Sequence, residues 1–170
     1  EVRRGGKRLI SYSCNDYLNL SQHPKIKAAA IEATEKYGAG SGASRLVTGN
    51  HPFYAVLEKK LAKLKGAEAA CVFGSGYLAN TGIIPALTGA DDMVCVDELS
   101  HACIPAGARL SPGAVYVFRH NDLDHLREIL KLHRTNHPHA MIVTDGVFSM
   151  DGDLAPVEGL SRIADEFDAW

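Results

Sequence analysis

Cys71-Val72-Phe73-Gly74-Ser75-Gly76-Tyr77-Leu78-Ala79-Asn80 is the stretch on which the reading of this sequence turns. A short apolar run meets Gly-Ser-Gly and then becomes helix-like. A strand that feeds a helix through such a turn gathers unpaired backbone N–H groups and the positive end of a helix dipole at one point. The stretch is therefore read as a cradle for an anion, a phosphate above all.

Downstream of the cradle, apolar runs and helical patterns alternate. Strands are predicted over 69–73, 93–97, 115–118 and 140–144. Helices are predicted over 77–87 and 102–110, after an Asn121 cap, and from Pro156 onward. Buried strands alternating with amphipathic helices imply βαβ crossovers, hence an α/β fold with a mainly parallel sheet flanked by helices.

Upstream, Leu9 to Ser13 reads as a short strand and Asn15-Asp16 as a turn that bonds its own backbone. A helix follows from Pro24 to Gly38. The glycine-rich run Gly38-Ala39-Gly40-Ser41-Gly42 can pass close to a ligand or another chain, or serve as a flexible linker. A second helix, capped by Thr48-Gly49-Asn50 and stopped at Gly66, carries Phe53, Val56, Leu57, Leu61 and Leu64 as a core stripe. The expected division is an N-terminal arm, helix and glycine loop over 1–50, and a partial large domain over 51–170. The pattern stops at Trp170 on a finished helix, so the chain is expected to be a fragment.

The 170 residues, 46% hydrophobic and with a formal net charge of −2, carry no basic stripe and no apolar run of membrane length. Nucleic acid and membrane are accordingly not expected as partners. Four cysteines without a Cys-x-x-Cys pair read as reduced core residues of a cytoplasmic protein. His133, His137 and His139 read as a solvated link, and Asp151 and Asp153 as a structural turn that lacks the other ligands of a calcium loop. No metal site is expected.

In parallel sheets ligands bind at the carboxyl ends of the strands. Ser75, His101, Asp145 and Ser149 fall there. Two enzyme readings compete for the glycine turn. Gly74, Gly76 and Ala79, with Asp97 about twenty residues on, nearly complete a dinucleotide fingerprint and would suit an NAD(P)-dependent oxidoreductase. Alternatively, the imidazole of His101 lies flat on a bound ring while Asp145 and Ser149 bring a carboxylate and a hydroxyl to the same rim. A third reading is a non-catalytic domain that binds a phosphate ligand or serves only in dimerisation.

Six motifs taken together resemble the α-oxoamine synthase family of fold-type I pyridoxal-phosphate enzymes. They are Asn15-Asp16-Tyr17-Leu18, Gly40 to Arg45 with Thr48-Gly49, Ser75-Gly76-Tyr77 with Ala79-Asn80, Leu99-Ser100-His101-Ala102, Arg119-His120-Asn121-Asp122, and Asp145 to Gly152. The resemblance implies an incomplete large domain of a PLP-dependent transferase with an N-terminal arm. It implies pyridoxal 5'-phosphate as cofactor, and decarboxylative condensation of a small amino acid with an acyl-CoA in a homodimer with a shared active site.

By the same resemblance, Ser75, Gly76 and Tyr77 hold the phosphate and His101 stacks on the ring as the catalytic imidazole. Ser149 stands near the phenolic oxygen, and Asp145 plays a supporting polar part. Asn15 and Ser44 line the acyl-CoA side. Asn19, where a Gly is usual, and Arg45, where some members have Gly-His, depart from the pattern. The Schiff-base lysine and the acidic partner of the pyridine nitrogen are expected beyond Trp170.

Overall fold

The computed structural model describes residues 2–170. They form two compact units, the first ending at Ala70 and the second beginning at Cys71.

The first unit opens with a hairpin of β1 (Val2–Arg4) and β2 (Lys7–Leu9), paired antiparallel. Gly5 and Gly6 form its two-residue turn, both at positive φ (55° and 74°), where a side chain would be strained. The strand expected over 9–13 is thus shifted, because the Gly-Gly turn sets the register and the ladder ends at Leu9. Asp16 then folds the chain on itself: its carboxylate accepts from the backbone N–H groups of Leu20 (2.7 Å) and Ser21 (3.2 Å) and from the Ser21 hydroxyl (2.5 Å). Asn19 has φ of 52°. That left-handed conformation explains a position where glycine is usual, since Asn tolerates it better than other side chains.

Helices α1 (Pro24–Tyr37) and α2 (Pro52–Lys65) follow, each with proline in the first turn. Both are capped by histidine: His23 Nδ1 accepts from Lys25 N, and His51 Nδ1 from Phe53 N at 3.2 Å. The α2 cap is therefore His51, not Asn50. Asn50 is instead bound through its Oδ1 by Arg45 Nε (3.0 Å). Gly66 ends α2 in the left-handed conformation, donating to Ala62 and Lys63 carbonyls.

The α2 stripe is not core. Phe53, Val56, Leu57 and Leu64 are 44–77% exposed and only Ala62 of the helix is buried. Periodicity defines an apolar face but not what covers it, and among its described residues the first unit offers no sheet beyond the small hairpin.

The second unit runs α3 (Gly76–Leu87), β3 (Met93–Asp97), α4 (Cys103–Leu110), β4 (Ala114–Phe118), α5 (Leu123–His133), β5 (Ala140–Val143) and α6 (Val157–Glu166). Its sheet is parallel with β3 in the middle, in the order β4-β3-β5. Alternation along β3 serves two cores. Met93 and Cys95 join Phe118, Leu126, Leu130, Leu160 and Ile163 on the α5/α6 side. Val94 and Val96 join Ile84, Cys103, Ile104 and Ala108 on the α3/α4 side.

The stretch 69–73 is not a strand. An apolar run becomes a strand only where a neighbour forms a regular ladder with it, and composition does not supply that neighbour. The outer side of β5 is met instead by Trp170, whose N–H donates to Ala140 O (2.9 Å) and whose carbonyl accepts from Ile142 N (2.7 Å). Cys71 and Cys14 lie on irregular segments and are exposed rather than core, while Cys95 and Cys103 are buried; all four thiols are free. The α5 cap is Asp122, whose carboxylate accepts from His125 N at 2.8 Å. Asn121, expected as cap, sits one residue earlier at φ 54°.

Candidate functional site

Strand order fixes where a ligand can enter the second unit. From β3 the chain passes through α4 to β4 on one side, then through α5 back across to β5 on the other. The connections therefore diverge between β3 and β5, and such a switch point leaves a crevice at the strands' carboxyl ends. A cleft of about 390 Å³ opens there, lined by 99–102 after β3 and by Asp145 and 147–151 after β5.

The sequence-selected residues His101, Asp145 and Ser149 share this cleft. Asp145 Oδ2 accepts from the His101 backbone N–H at 2.6 Å, tying the two loops together. His101 Nδ1 accepts from the Cys103 backbone N–H (3.2 Å) and lies 2.8 Å from the Cys103 thiol. An acceptor nitrogen carries no proton, so the neutral ring is held with its hydrogen on Nε2. Ser149 is exposed at the hairpin tip. The Ser100 hydroxyl, also lining the cleft, is buried without a partner among the described residues.

Ser75, Gly76 and Tyr77 are not in the cleft lining but form the start of α3. Ser75 is the cap, its Oγ accepting from Leu78 N at 3.1 Å. The N–H groups of Gly76 and Tyr77 therefore have no intrahelical partner, and open space surrounds Gly76. The turn is joined to the cleft by a short relay: Asn80, a little over one turn along α3, gives its Nδ2 to Cys103 Sγ at 3.1 Å. Helices α3 and α4 touch at Gly107, where a Cβ would come within 2.5 Å of Asn80 O.

Asp97 is committed elsewhere. Only 2% exposed, it accepts from Leu99 N (2.9 Å) and Asn121 N (2.8 Å) and faces His120 Nδ1 at 3.0 Å. A carboxylate so occupied is not offered to a ribose, which removes the acidic member of the dinucleotide fingerprint.

Asn15 and Ser44 belong to the first unit, both exposed on loops. The Ser44 carbonyl receives Val47 N and Gly49 N, and the Ala43 carbonyl fills the space a Gly49 side chain would need. Arg45 serves the fold of this unit. It grips Glu58 of α2 with two nitrogens (2.6 and 3.1 Å) and lies over the Tyr54 ring at 4.2 Å.

No cluster of His, Cys, Asp and Glu suited to a metal occurs among the described residues. His133 stacks on Tyr116 (4.4 Å), His137 Nδ1 pairs with the Asp91 carbonyl (2.7 Å) and His139 lies over Trp170 (6.2 Å), so all three linker histidines have partners within the fold. No helix among the described residues is long and apolar enough to cross a membrane.

Position after a strand singles out His101, Asp145 and Ser149 in the sequence. It does not join His101 to Cys103, nor bring Asp97, His120 and Asp153 together. The i, i+2 spacing of His101 and Cys103, which recurs in the histidine caps of α1 and α2, is the signal that could have found the first.

This chain belongs to the aminotransferase class I and II family, whose model matches residues 7–170. Over 169 residues it is 62% identical to an 8-amino-7-oxononanoate synthase from Methylocella silvestris, covering 99% of this chain and 48% of that protein. It thus spans about half the length of the curated relatives it matches. Among solved structures, a serine palmitoyltransferase from S. paucimobilis with bound PLP–myriocin aldimine superposes with a TM-score of 0.86. That pair is 35% identical, covering 91% of this chain and 38% of the other. An 8-amino-7-oxononanoate synthase from Francisella tularensis gives a TM-score of 0.69 at 28% identity, covering 89% and 41%. The fold is that of a fold-type I PLP transferase, present here in part.

Proposed function

We propose that the protein carrying this chain is a pyridoxal-phosphate-dependent acyltransferase that condenses a small amino acid with an acyl-CoA, as an 8-amino-7-oxononanoate synthase does in biotin biosynthesis. The observation that carries this reading is the cleft at the switch point, which gathers His101, Asp145 and Ser149 and is linked through Cys103 and Asn80 to the helix whose N-terminus Ser75 caps. The extent of the similarity to the Methylocella silvestris synthase supports the choice within the family.

The residues present fit the cofactor. Gly76 and Tyr77 amides and the Ser75 hydroxyl suit a phosphate, and the space around Gly76 admits one. His101, its Nδ1 committed to Cys103, is left with Nε2–H as a donor toward a substrate carboxylate and with a ring face for stacking. The Ser149 hydroxyl can donate to a phenolate oxygen at the rim. Asp145 holds the His101 backbone in place. When bound, pyridoxal phosphate supplies the electron sink for the carbanion formed at the amino acid's Cα.

Asn15 and Ser44 serve the acyl-CoA, and the glycine run 38–42 lets the chain pass near a partner subunit in a cytoplasmic homodimer. Purified full-length protein should show the visible band of a pyridoxal-phosphate enzyme. It should release coenzyme A when alanine, glycine or serine is offered with short or long acyl-CoA donors. A colourless protein that binds NAD would refute the proposal.

A further inference from the structure

His120 ties together elements that lie far apart in the chain. Its Nδ1 lies 3.0 Å from Asp97 Oδ1 at the end of β3, and its Nε2 lies 2.8 Å from Asp153 Oδ2 at the base of the hairpin that follows β5. Ionised carboxylates only accept, so both ring nitrogens must donate, and a ring with two N–H groups is an imidazolium. The ring also meets Phe148 edge-on at 4.4 Å, and Phe148 is 2% exposed.

The hairpin is otherwise held by few bonds. Val147 and Leu154 form one antiparallel bridge; Phe148 N donates to Asp153 O, and Gly152 N to Phe148 O. Residues Ser149, Met150 and Asp151 make its tip, and His120 holds the residues on both sides of that tip, Phe148 and Asp153. Asn121 reinforces the base with its Nδ2 on Asp153 Oδ2 (3.0 Å) and on Leu154 O (3.3 Å).

We infer that His120 is a positioning residue for Ser149. Bridged between Asp97 and Asp153, it latches the 146–154 hairpin to the end of the central strand and so fixes where the Ser149 hydroxyl stands. Its importance for catalysis rests on the proposed role of Ser149; the latch itself does not.

The charged groups facing His120 are all carboxylates. They are Asp97 on β3, Asp153 on the hairpin, and Glu98, whose Oε1 accepts the His120 backbone N–H at 2.9 Å. The neighbouring Arg119 turns to Asp122 instead, at 2.8 Å. Hydrogen bonds to Asp97 and then to Asp153 raise the His120 pKa above its ordinary 6.5, and the bond from His120 lowers that of Asp153 below 3.8. A histidine raised on folding gives stability that is full below its unfolded pKa and lost as pH rises through the folded one. An aspartate lowered on folding gives stability present above its unfolded pKa and lost as pH falls through the folded one. The latch is therefore fully closed at mildly acidic pH, above the ordinary Asp range and below the ordinary His value of 6.5, and opens as pH rises through the raised His120 pKa.

Hydrogen exchange of peptides spanning 146–154, in full-length wild type and His120→Asn, tests this, because the ratio of the two rates cancels intrinsic base catalysis. At about pH 6 the variant's hairpin should exchange roughly tenfold faster. The ratio should fall toward one as pH rises through the raised His120 pKa and the wild-type imidazole loses its proton. A ratio of one at the lower pH, or one that does not change with pH, would overturn the latch. Should His120→Asn fold poorly, judged by exchange in α5, Asp153→Asn removes only the hairpin's carboxylate and should show the same direction. The visible cofactor band is read in the same samples: an exchange ratio that moves in a colourless protein refutes the cofactor reading and leaves the latch standing.

Discussion

Replacing Gly107 by alanine sets two terms of opposite sign against each other. Gly107 lies inside α4, where alanine in place of glycine would stabilise the helix by about 1 kcal/mol if nothing were nearby. Something is nearby: the new Cβ would stand 2.5 Å from the Asn80 carbonyl and 3.0 Å from Ile84 Cδ1. Ordinary contact is about 3.5 Å, so α3 and α4 must part by about an ångström. Ile84 can turn its methyl aside, but Asn80 O is backbone and moves only with its helix. Overpacking of this kind costs about 1–3 kcal/mol. The net expectation is a loss of up to about 2 kcal/mol, with the sign set by the backbone contact. Because Asn80 Nδ2 also binds Cys103 Sγ, the separation reaches His101 and the Ser75 turn. Calorimetry on the full-length protein should show a lowered unfolding transition, and titration with pyridoxal phosphate a weakened affinity. A variant stabilised by about 1 kcal/mol with unchanged affinity would show that α3 and α4 do not approach as described.

Ser75→Ala removes the α3 cap and should cost about 1 kcal/mol in stability, measured by denaturant midpoint. It should also weaken pyridoxal-phosphate binding more than pyridoxal binding, since the phosphate is the group the turn would hold. Cys95 is fully buried and its thiol is pushed up to about 12 by desolvation. Its thiolate is therefore scarce at mildly alkaline pH, and peptide mapping after iodoacetamide treatment should find Cys95 unmodified until the protein unfolds.

The second unit was largely legible in the sequence, because its helices and central strands obey local rules that tertiary structure did not override. Met93 to Val96 is apolar without alternation, as a strand covered on both faces must be, and it belongs to the middle strand. The site was legible for the same reason: His101, Asp145 and Ser149 come after strands, and parallel strands deliver the loops at their carboxyl ends to one rim. The misreadings depended on partners. The run 69–73 has strand-like composition but forms no strand among the described residues, and the α2 stripe has helical periodicity but is exposed. The caps failed by a residue at Asn50 and Asn121, because composition favours Asn while geometry chose His51 and Asp122. The Asp97–His120–Asp153 bridge joins the end of β3 to two separate loops, and no local spacing announces it.

The central claim, that His101 works on a bound cofactor rather than only holding the loop after β3, is tested most directly by coenzyme A release from full-length His101→Ala. The variant keeps the backbone N–H that Asp145 receives, so the fold and the visible pyridoxal-phosphate band should persist while amino-acid-dependent coenzyme A release falls at least about a hundredfold. Wild-type release from the variant, with the band intact, would contradict the account and leave His101 a structural residue.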